Sequence, residues 1–299
     1  MITLKHLRYF ESLSRHLHFG RAAQESAVTQ PALSQQLQDL EAQLGTKLVE
    51  RGKSGISLTD PGQEVARRAR EILSAVSDLT DYARHRGRLL SGSLKLGVIP
   101  SIGPYVLPAI LPELKGQFPQ LELSVRESQT GNLLTALGEN RIDVALLALG
   151  ATTTGFEQIA LFDDPFHLLV PAKHRLGRAK SIRVNELDGE RVLLLEEGHC
   201  LRDQALSLCR RVGLEASNEF GATSLSTIVQ LVSNGYGITV VPEMALPVEA
   251  HDHINLRVTR FAAPEPARTI GLIWRETSPR KVDFIELGRL ISRVCMRKQ

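Results

Sequence analysis

Two cysteines nine positions apart carry the most reactive chemistry in this sequence: Cys200 and Cys209, in Gly-His-Cys-Leu-Arg-Asp-Gln-Ala-Leu-Ser-Leu-Cys. Leu201, Ala205, Leu208 and Val212 follow a helical period, and Gly213 is placed to end the helix. On a regular helix, nine residues separate two Cα atoms by about 13 Å and about half a turn. A disulfide needs Cα atoms within about 7 Å. The two thiols cannot bond while such a helix is intact, and bonding would require the segment to refold. The pair is therefore a candidate switch and not a staple. Cys209 alone, beside Leu208 and Val212, reads as a core cysteine. Cys295 has no partner pattern and reads as incidental.

A second group of side chains suits a different chemistry. Gly20 to Gly45 reads as two helices joined by a tight Ala-Val-Thr turn, a helix-turn-helix. The second helix begins at Gln30-Pro31, where proline is acceptable in a first turn. It presents Gln30, Ser34, Gln35 and Gln38 outward, and amide and hydroxyl groups suit base edges in the major groove. Arg21, Arg51 and Lys53 flank it and suit phosphate contacts. On spacing alone, an ordinary helical hairpin solvated by Gln and Ser explains the pattern as well.

The elements that must hold these groups fall into three stretches. Residues 4–58 carry short helical patterns: Leu4, Leu7, Phe10 and Leu13 on one face, a short helix from Arg21 to Ala27, and a helix from Gln30 to Leu44 ended by Gly45. A short hairpin follows from Lys47 to Leu58 around Lys53-Ser54-Gly55. Asp60-Pro61 then starts a long helix, with Asp60 as its cap and Glu64 in its first turn. Val65, Ala69, Ile72, Val76, Leu79 and Ala83 form a heptad seam, with no breaker before Gly87. The seam reads as a dimerising or linking helix, with a surface helix packed on its own domain as the alternative. Beyond residue 93, strands and helices alternate. Strands are expected at Leu94–Ile99, Leu121–Glu127, Val144–Leu149, Phe166–Val170, Arg191–Leu195, Ile238–Val241 and Ile270–Trp274. Helices are expected near Tyr105–Gln117, Asn132–Asn140 and Asp283–Val294. The wholly apolar Val144–Leu149 suits a parallel sheet covered on both faces, and the architecture is α/β.

Composition sets the bounds. At 299 residues and 42% hydrophobic, the chain is long enough for two domains with sizeable cores. The longest apolar run falls far short of the roughly 18 residues that span a bilayer, and the N-terminus lacks the pattern of a signal peptide. A cytoplasmic protein is expected, in which three cysteines are not structural disulfides. Residues 1–91 carry 13 Lys and Arg against 10 Asp and Glu, while the remainder carries 23 of each. The whole basic excess therefore lies in the first third, which points to a polyanionic partner there.

The first 60 residues resemble the winged helix-turn-helix of LysR-type transcriptional regulators. The matching residues are Leu7-Arg8-Tyr9-Phe10, Arg21-Ala22-Ala23, Gln30-Pro31-Ala32-Leu33-Ser34, Leu40-Glu41, Leu44-Gly45, Leu48, Glu50-Arg51 and Leu58-Thr59-Asp60-Pro61-Gly62. Ser26 and Val49 depart from the usual Leu and Phe, both at packing positions. The resemblance implies a DNA-binding domain over residues 1–59 and a dimerising linker helix over 60–90. It also implies a regulatory domain over 91–299 of two Rossmann-like lobes, like a periplasmic binding protein. Lobe I would be about 91–162 and 268–299, and lobe II about 163–267. Arg21, Gln30, Pro31, Ser34, Gln35, Gln38, Arg51 and Lys53 would meet double-stranded promoter DNA. The chain would assemble as a homodimer or homotetramer and work with RNA polymerase, without a cofactor, a metal or a membrane.

Four further segments resemble the hydrogen-peroxide-sensing members of that family: His199-Cys200-Leu201-Arg202-Asp203-Gln204 with Cys209, Gly97 to Tyr105, Ala222-Thr223-Ser224-Leu225 and Arg268-Thr269-Ile270-Gly271-Leu272. The local chemistry agrees. Cys200 precedes a helix, where unpaired N–H groups and the dipole favour negative charge, and His199 and Arg202 add positive charge. A thiolate attacks peroxide to give a sulfenic acid, which a second thiol converts to a disulfide. Cys209 would be that thiol, and a glutaredoxin- or thioredoxin-type reductant would reset it. The resemblance implies a peroxide pocket of Ser101, Thr130 and His199, supported by Arg202, Asp203 and Arg268. Ser101 stands where the family more often has threonine. The resulting expectation is a peroxide-switched activator of oxidative-stress genes and not an enzyme. Two alternatives are a regulator of the same fold that binds a small effector, with redox-silent cysteines, and a thiol peroxidase.

Overall fold

The computed structural model describes residues 1–52, 55–84, 89–150, 154–210, 217–251 and 254–296; the side chains of residues 51, 81–84, 209, 210 and 217–221 lie outside the description. The chain divides into two units, Met1–Arg84 and His85–Gln299.

The first unit runs α1 (Leu4–His16), α2 (Phe19–Glu25), α3 (Gln30–Leu44), β1 (Val49–Gly52), β2 (Gly55–Leu58) and α4 (Asp60–Arg84). Its helix ends are chemically defined. Thr3 Oγ1 accepts from the His6 N–H while His6 Nδ1 accepts from the Thr3 N–H, a reciprocal cap on α1. Thr29 caps α3, and Gly45 at φ 67° ends it in the left-handed conformation. The expected cap of the long helix is corrected: Thr59, not Asp60, accepts the Gly62 N–H at 3.0 Å, because its hydroxyl also donates to Lys47 O at 2.7 Å and is fixed there. Phe10, Leu13, Ala22, Leu33, Leu40 and Leu48 form the core. Leu4, expected on that face, is exposed. β1 and β2 pair antiparallel from Val49↔Leu58 to Gly52↔Gly55, a two-stranded wing.

In α4, Ala69 is buried, whereas Ile72 is 46% and Leu79 68% exposed. Part of the seam is therefore an apolar stripe on the surface of the chain.

The second unit contains β3 (Gly92–Val98), α5 (Gly103–Gln117), β4 (Leu121–Glu127), α6 (Thr130–Gly138), β5 (Val144–Ala148), β6 (Phe156–Pro171), β7 (Ser181–Ile182) and β8 (Leu193–Leu195). It continues through α7 (Cys200–Arg210), β9 (Ser217–Ala222), α8 (Leu225–Ser233), β10 (Thr239–Pro242), α9 (Leu246–Glu249), β11 (Leu256–Phe261), β12 (Ala267–Arg275) and α10 (Lys281–Met296). The sheet is mixed and not parallel throughout. β3 pairs parallel with β4 and β5, but β12 returns antiparallel to both β5 and β6. β6 is the spine. Its first half pairs with β12, and its second half pairs with β10 and β11. The sequence reading placed only Phe166–Val170 in this strand, because Asp163, Asp164 and Pro165 break the apolar pattern midway.

Two cores flank that break. One gathers Leu94, Leu96, Val98, Val144, Leu146, Ile270, Leu272, Phe284 and Leu287. The other gathers Phe166, Leu168, Val170, Leu193, Leu201, Ile228, Val240 and Phe261. The result is a two-lobed α/β unit whose lobes share β6 and the start of β12.

Candidate functional site

Cys200 opens α7, and its partly exposed side chain leaves its own lobe to pack against the core of the other. There it borders a cavity lined by Ile99, Pro100, Ser101, Gln129, Thr130, His199 and Leu201. The cavity is small, about 10 Å³, at the lower limit of what a single water needs. Three helices begin beside it: α5 just after Ser101, α6 at Thr130 and α7 at Cys200. No side chain caps the first two, so their N–H groups and dipoles favour negative charge in that region.

The polar walls are unequal. Thr130 Oγ1 is buried without a hydrogen-bond partner among the described residues. Ser101 is held from behind by Arg268, whose Nη1 donates to Ser101 Oγ at 2.8 Å and whose Nη2 donates to Ser101 O at 2.9 Å. Arg268 Nε donates to Asp164 Oδ2 at 2.9 Å, and Asp164 Oδ1 accepts the Met244 N–H at 3.0 Å. Asp164 is fully buried and Arg268 nearly so. Burial pushes the Asp164 carboxyl above its usual range, against the pull of Arg268 and the Met244 N–H. This network sits where β6 and β12 cross between the lobes.

Other contacts bridge the same boundary. The Tyr105 hydroxyl on α5 donates to Glu249 Oε1 at 2.8 Å, which also accepts from Ser226 Oγ at 2.9 Å. Burial, then the Glu249 carboxylate, push the Tyr105 phenol well above its usual range. Gly198 turns the chain into α7 at φ +88°, and a Cβ there would meet Gln129 Oε1 at 2.6 Å.

The structure thus gathers Ser101, Thr130, His199 and Cys200 around one cavity, with Arg268 behind Ser101. Two expected pocket residues stand elsewhere. Arg202 turns away to donate from Nη1 to Leu195 O at 2.9 Å, and Asp203 is exposed on the outer face of α7. They lie two and three residues past Cys200, and of α7 only Cys200 and Leu201 line the cavity. Sequence reasoning missed Gln129 and Asp164. Nothing local marks Asp164, whose partner lies 104 residues away. Cys209 lies on α7 with its side chain outside the description. The helix is described to Arg210, and Val212 and Gly213 fall outside the described residues. Cys295, on α10, packs against the same core as Cys200.

In the first unit, Arg21, Gln30, Pro31, Gln35 and Gln38 are exposed and Ser34 is half-buried. Gln35 Nε2 donates to Asp39 Oδ1 at 2.9 Å on the same face. Arg51 lies on β1 with its side chain outside the description, and Lys53 lies outside the described residues. Glu41, from the buried face of α3, fixes the wing. Its Oε1 accepts from the Leu48 N–H at 2.9 Å and its Oε2 from Lys47 Nζ at 2.7 Å. Burial opposes its charge, yet Lys47 and the Leu48 and Val49 N–H groups hold its carboxyl below the usual range.

Comparison with known proteins places these features in context. Residues 4–63 match the bacterial regulatory helix-turn-helix protein model of the lysR family, and residues 87–290 match the LysR substrate binding domain. The chain is 38% identical over 290 residues to the DNA-binding transcriptional dual regulator OxyR of Escherichia coli K12, covering 97% of this chain and 95% of that one. A full-length OxyR cysteine variant from Pseudomonas aeruginosa superposes with a TM-score of 0.79 at 34% identity, over 97% of this chain and 95% of that one. A hydrogen-peroxide-bound OxyR cysteine mutant of Corynebacterium glutamicum gives 0.70 at 33%, over 99% and 93%. With both models matched along nearly its whole length, the chain belongs to the LysR family of bacterial helix-turn-helix regulators, among its OxyR relatives.

Proposed function

We propose that this chain is a hydrogen-peroxide-sensing, DNA-binding transcriptional regulator, an activator of oxidative-stress genes switched by a reversible Cys200–Cys209 disulfide. The observation that carries the reading is the cavity beside Cys200. It is water-sized and lined by Ser101, Thr130 and His199, and Thr130 Oγ1 has no hydrogen-bond partner among the described residues. A pocket for a metabolite-sized effector takes about 300 Å³ or more, so the redox-silent alternative has no support at this site.

The chemistry balances as follows. The Cys200 sulfur attacks one peroxide oxygen, an S–O bond forms, the O–O bond breaks, and the leaving hydroxide takes up the thiol proton as water. The Cys209 sulfur then attacks the Cys200 sulfenic acid, the S–O bond breaks, and the second oxygen leaves as water. Two thiols lose two electrons and one peroxide gains them. A thiol reductant of glutaredoxin or thioredoxin class reverses the disulfide by exchange. Because both cysteines sit on one helix about 13 Å apart along its axis, disulfide formation requires α7 to unwind. Cys200 must also leave the core of lobe I.

The exposed glutamines of α3 read base edges and Arg21, Arg51 and Lys53 meet phosphates. The chain pairs as a homodimer or homotetramer through α4 and acts in the cytoplasm with RNA polymerase. Footprinting on promoter fragments selected by the protein itself tests the whole reading. Reduced and peroxide-treated protein should protect different stretches, and Cys200→Ser should give only the reduced footprint. Identical footprints from protein carrying an oxidised Cys200 would refute the switch.

A further inference from the structure

The ion pair behind the cavity does more than hold the lobes together. Ser101 Oγ accepts a hydrogen bond from Arg268 Nη1 at 2.8 Å. Its own hydrogen is therefore left to donate elsewhere, and the cavity is the space Ser101 lines. A hydroxyl whose oxygen already accepts from a cation is a stronger donor. The departing oxygen of a peroxide needs such a donor as the O–O bond breaks. Arg268 can polarise Ser101 only while its guanidinium plane stays fixed, and the group that fixes it is Asp164, through Nε at 2.9 Å. Asp164 in turn accepts the Met244 N–H at 3.0 Å, in the short turn after β10 of the other lobe. One fully buried carboxylate thus links the polarity of the cavity wall to the position of lobe II.

We infer that Asp164 is a positioning residue of the peroxide reaction, orienting Arg268 so that Ser101 donates its hydrogen into the cavity beside Cys200. The inference rests on the peroxide reading above. It predicts that Asp164 matters to breaking an O–O bond at Cys200 and not to the reactivity of the thiol in general.

The test compares two reactions at the same sulfur in the full-length chain, each quantified on the Cys200 peptide by mass spectrometry. Asp164→Asn should slow oxidation by hydrogen peroxide tenfold or more, while alkylation by iodoacetamide, which needs no donor to a leaving oxygen in this cavity, changes less than twofold. If Asp164→Asn does not fold, Asp164→Glu, which keeps the charge beside Arg268 but displaces the carboxylate, takes its place with the same expectation. Equal losses in both reactions would reduce Asp164 to a structural role, and no loss in either would remove the role altogether. A wild-type chain that peroxide leaves unoxidised would overturn the peroxide reading itself. A reactive wild type matched by its variant would overturn only the part assigned to Asp164.

Discussion

At the scale of single residues, the site depends on groups whose conformations are costly to change. Gly198 is one. Its φ of +88° strains any residue with a side chain, and a Cβ there would also have to move the end of the Gln129 side chain, 2.6 Å away. Gly198→Ala should cost about 1–2 kcal/mol from the backbone alone. It should also displace Cys200 from the cavity, which would appear as slower peroxide oxidation alongside a lower urea midpoint. Residues that line the cavity were legible in the sequence. Cys200, His199, Ser101 and Thr130 meet at one cavity, as the motif match implied. Asp164 was not legible, because a lone acid before a proline says nothing until strand pairing sets it opposite Arg268. The resemblance also implied Arg202 and Asp203 as supporting groups; they lie on α7 outside the cavity lining, with Arg202 donating to Leu195 O and Asp203 exposed.

At the scale of elements, the helix-turn-helix was readable almost to its ends because its signals are local: a Thr cap, a Pro in the first turn and a Gly stop around α3. The junction between wing and long helix was less so. Gly62 lies where a Cβ would meet Leu48 O at 2.0 Å. Gly62→Ala must therefore push the wing from α4, at about 1–3 kcal/mol, and weaken DNA binding in a mobility-shift titration. Glu41 makes the same junction acid-sensitive. Its carboxyl is held below the usual range in the native state, so its stabilisation is complete above the unfolded value of about 4.3. That stabilisation is lost as pH falls from there toward the native value. Hydrogen exchange across residues 30–58 should accelerate over that window, and Glu41→Gln should be less protected at pH 7 and show a flatter acid response. The long strand β6 was half missed, since its Asp-Asp-Pro interruption resembles a strand end. Long-range pairing with β12 carries it through.

At the scale of the whole molecule, two features matter: an apolar stripe on α4 and, in the second unit, a cavity bordered by Cys200 at the boundary of two lobes. Ile72 and Leu79 expose 46% and 68% of their surface within one chain, which supports the proposed pairing through α4. Leu79→Asp should shift the protein toward monomer in light scattering, with the peroxide reaction at Cys200 unchanged. The architecture was legible from the order of strands and helices. The mixed sheet was not, because strand direction is decided by chain return and not by composition. The disulfide itself offers the most direct measurement. After treatment of the wild-type chain with one equivalent of hydrogen peroxide, peptide mass spectrometry should find Cys200 joined to Cys209, reversibly on adding thiol and absent in Cys209→Ser. An oxidised Cys200 joined to Cys295, or to no cysteine at all, would contradict the proposed switch.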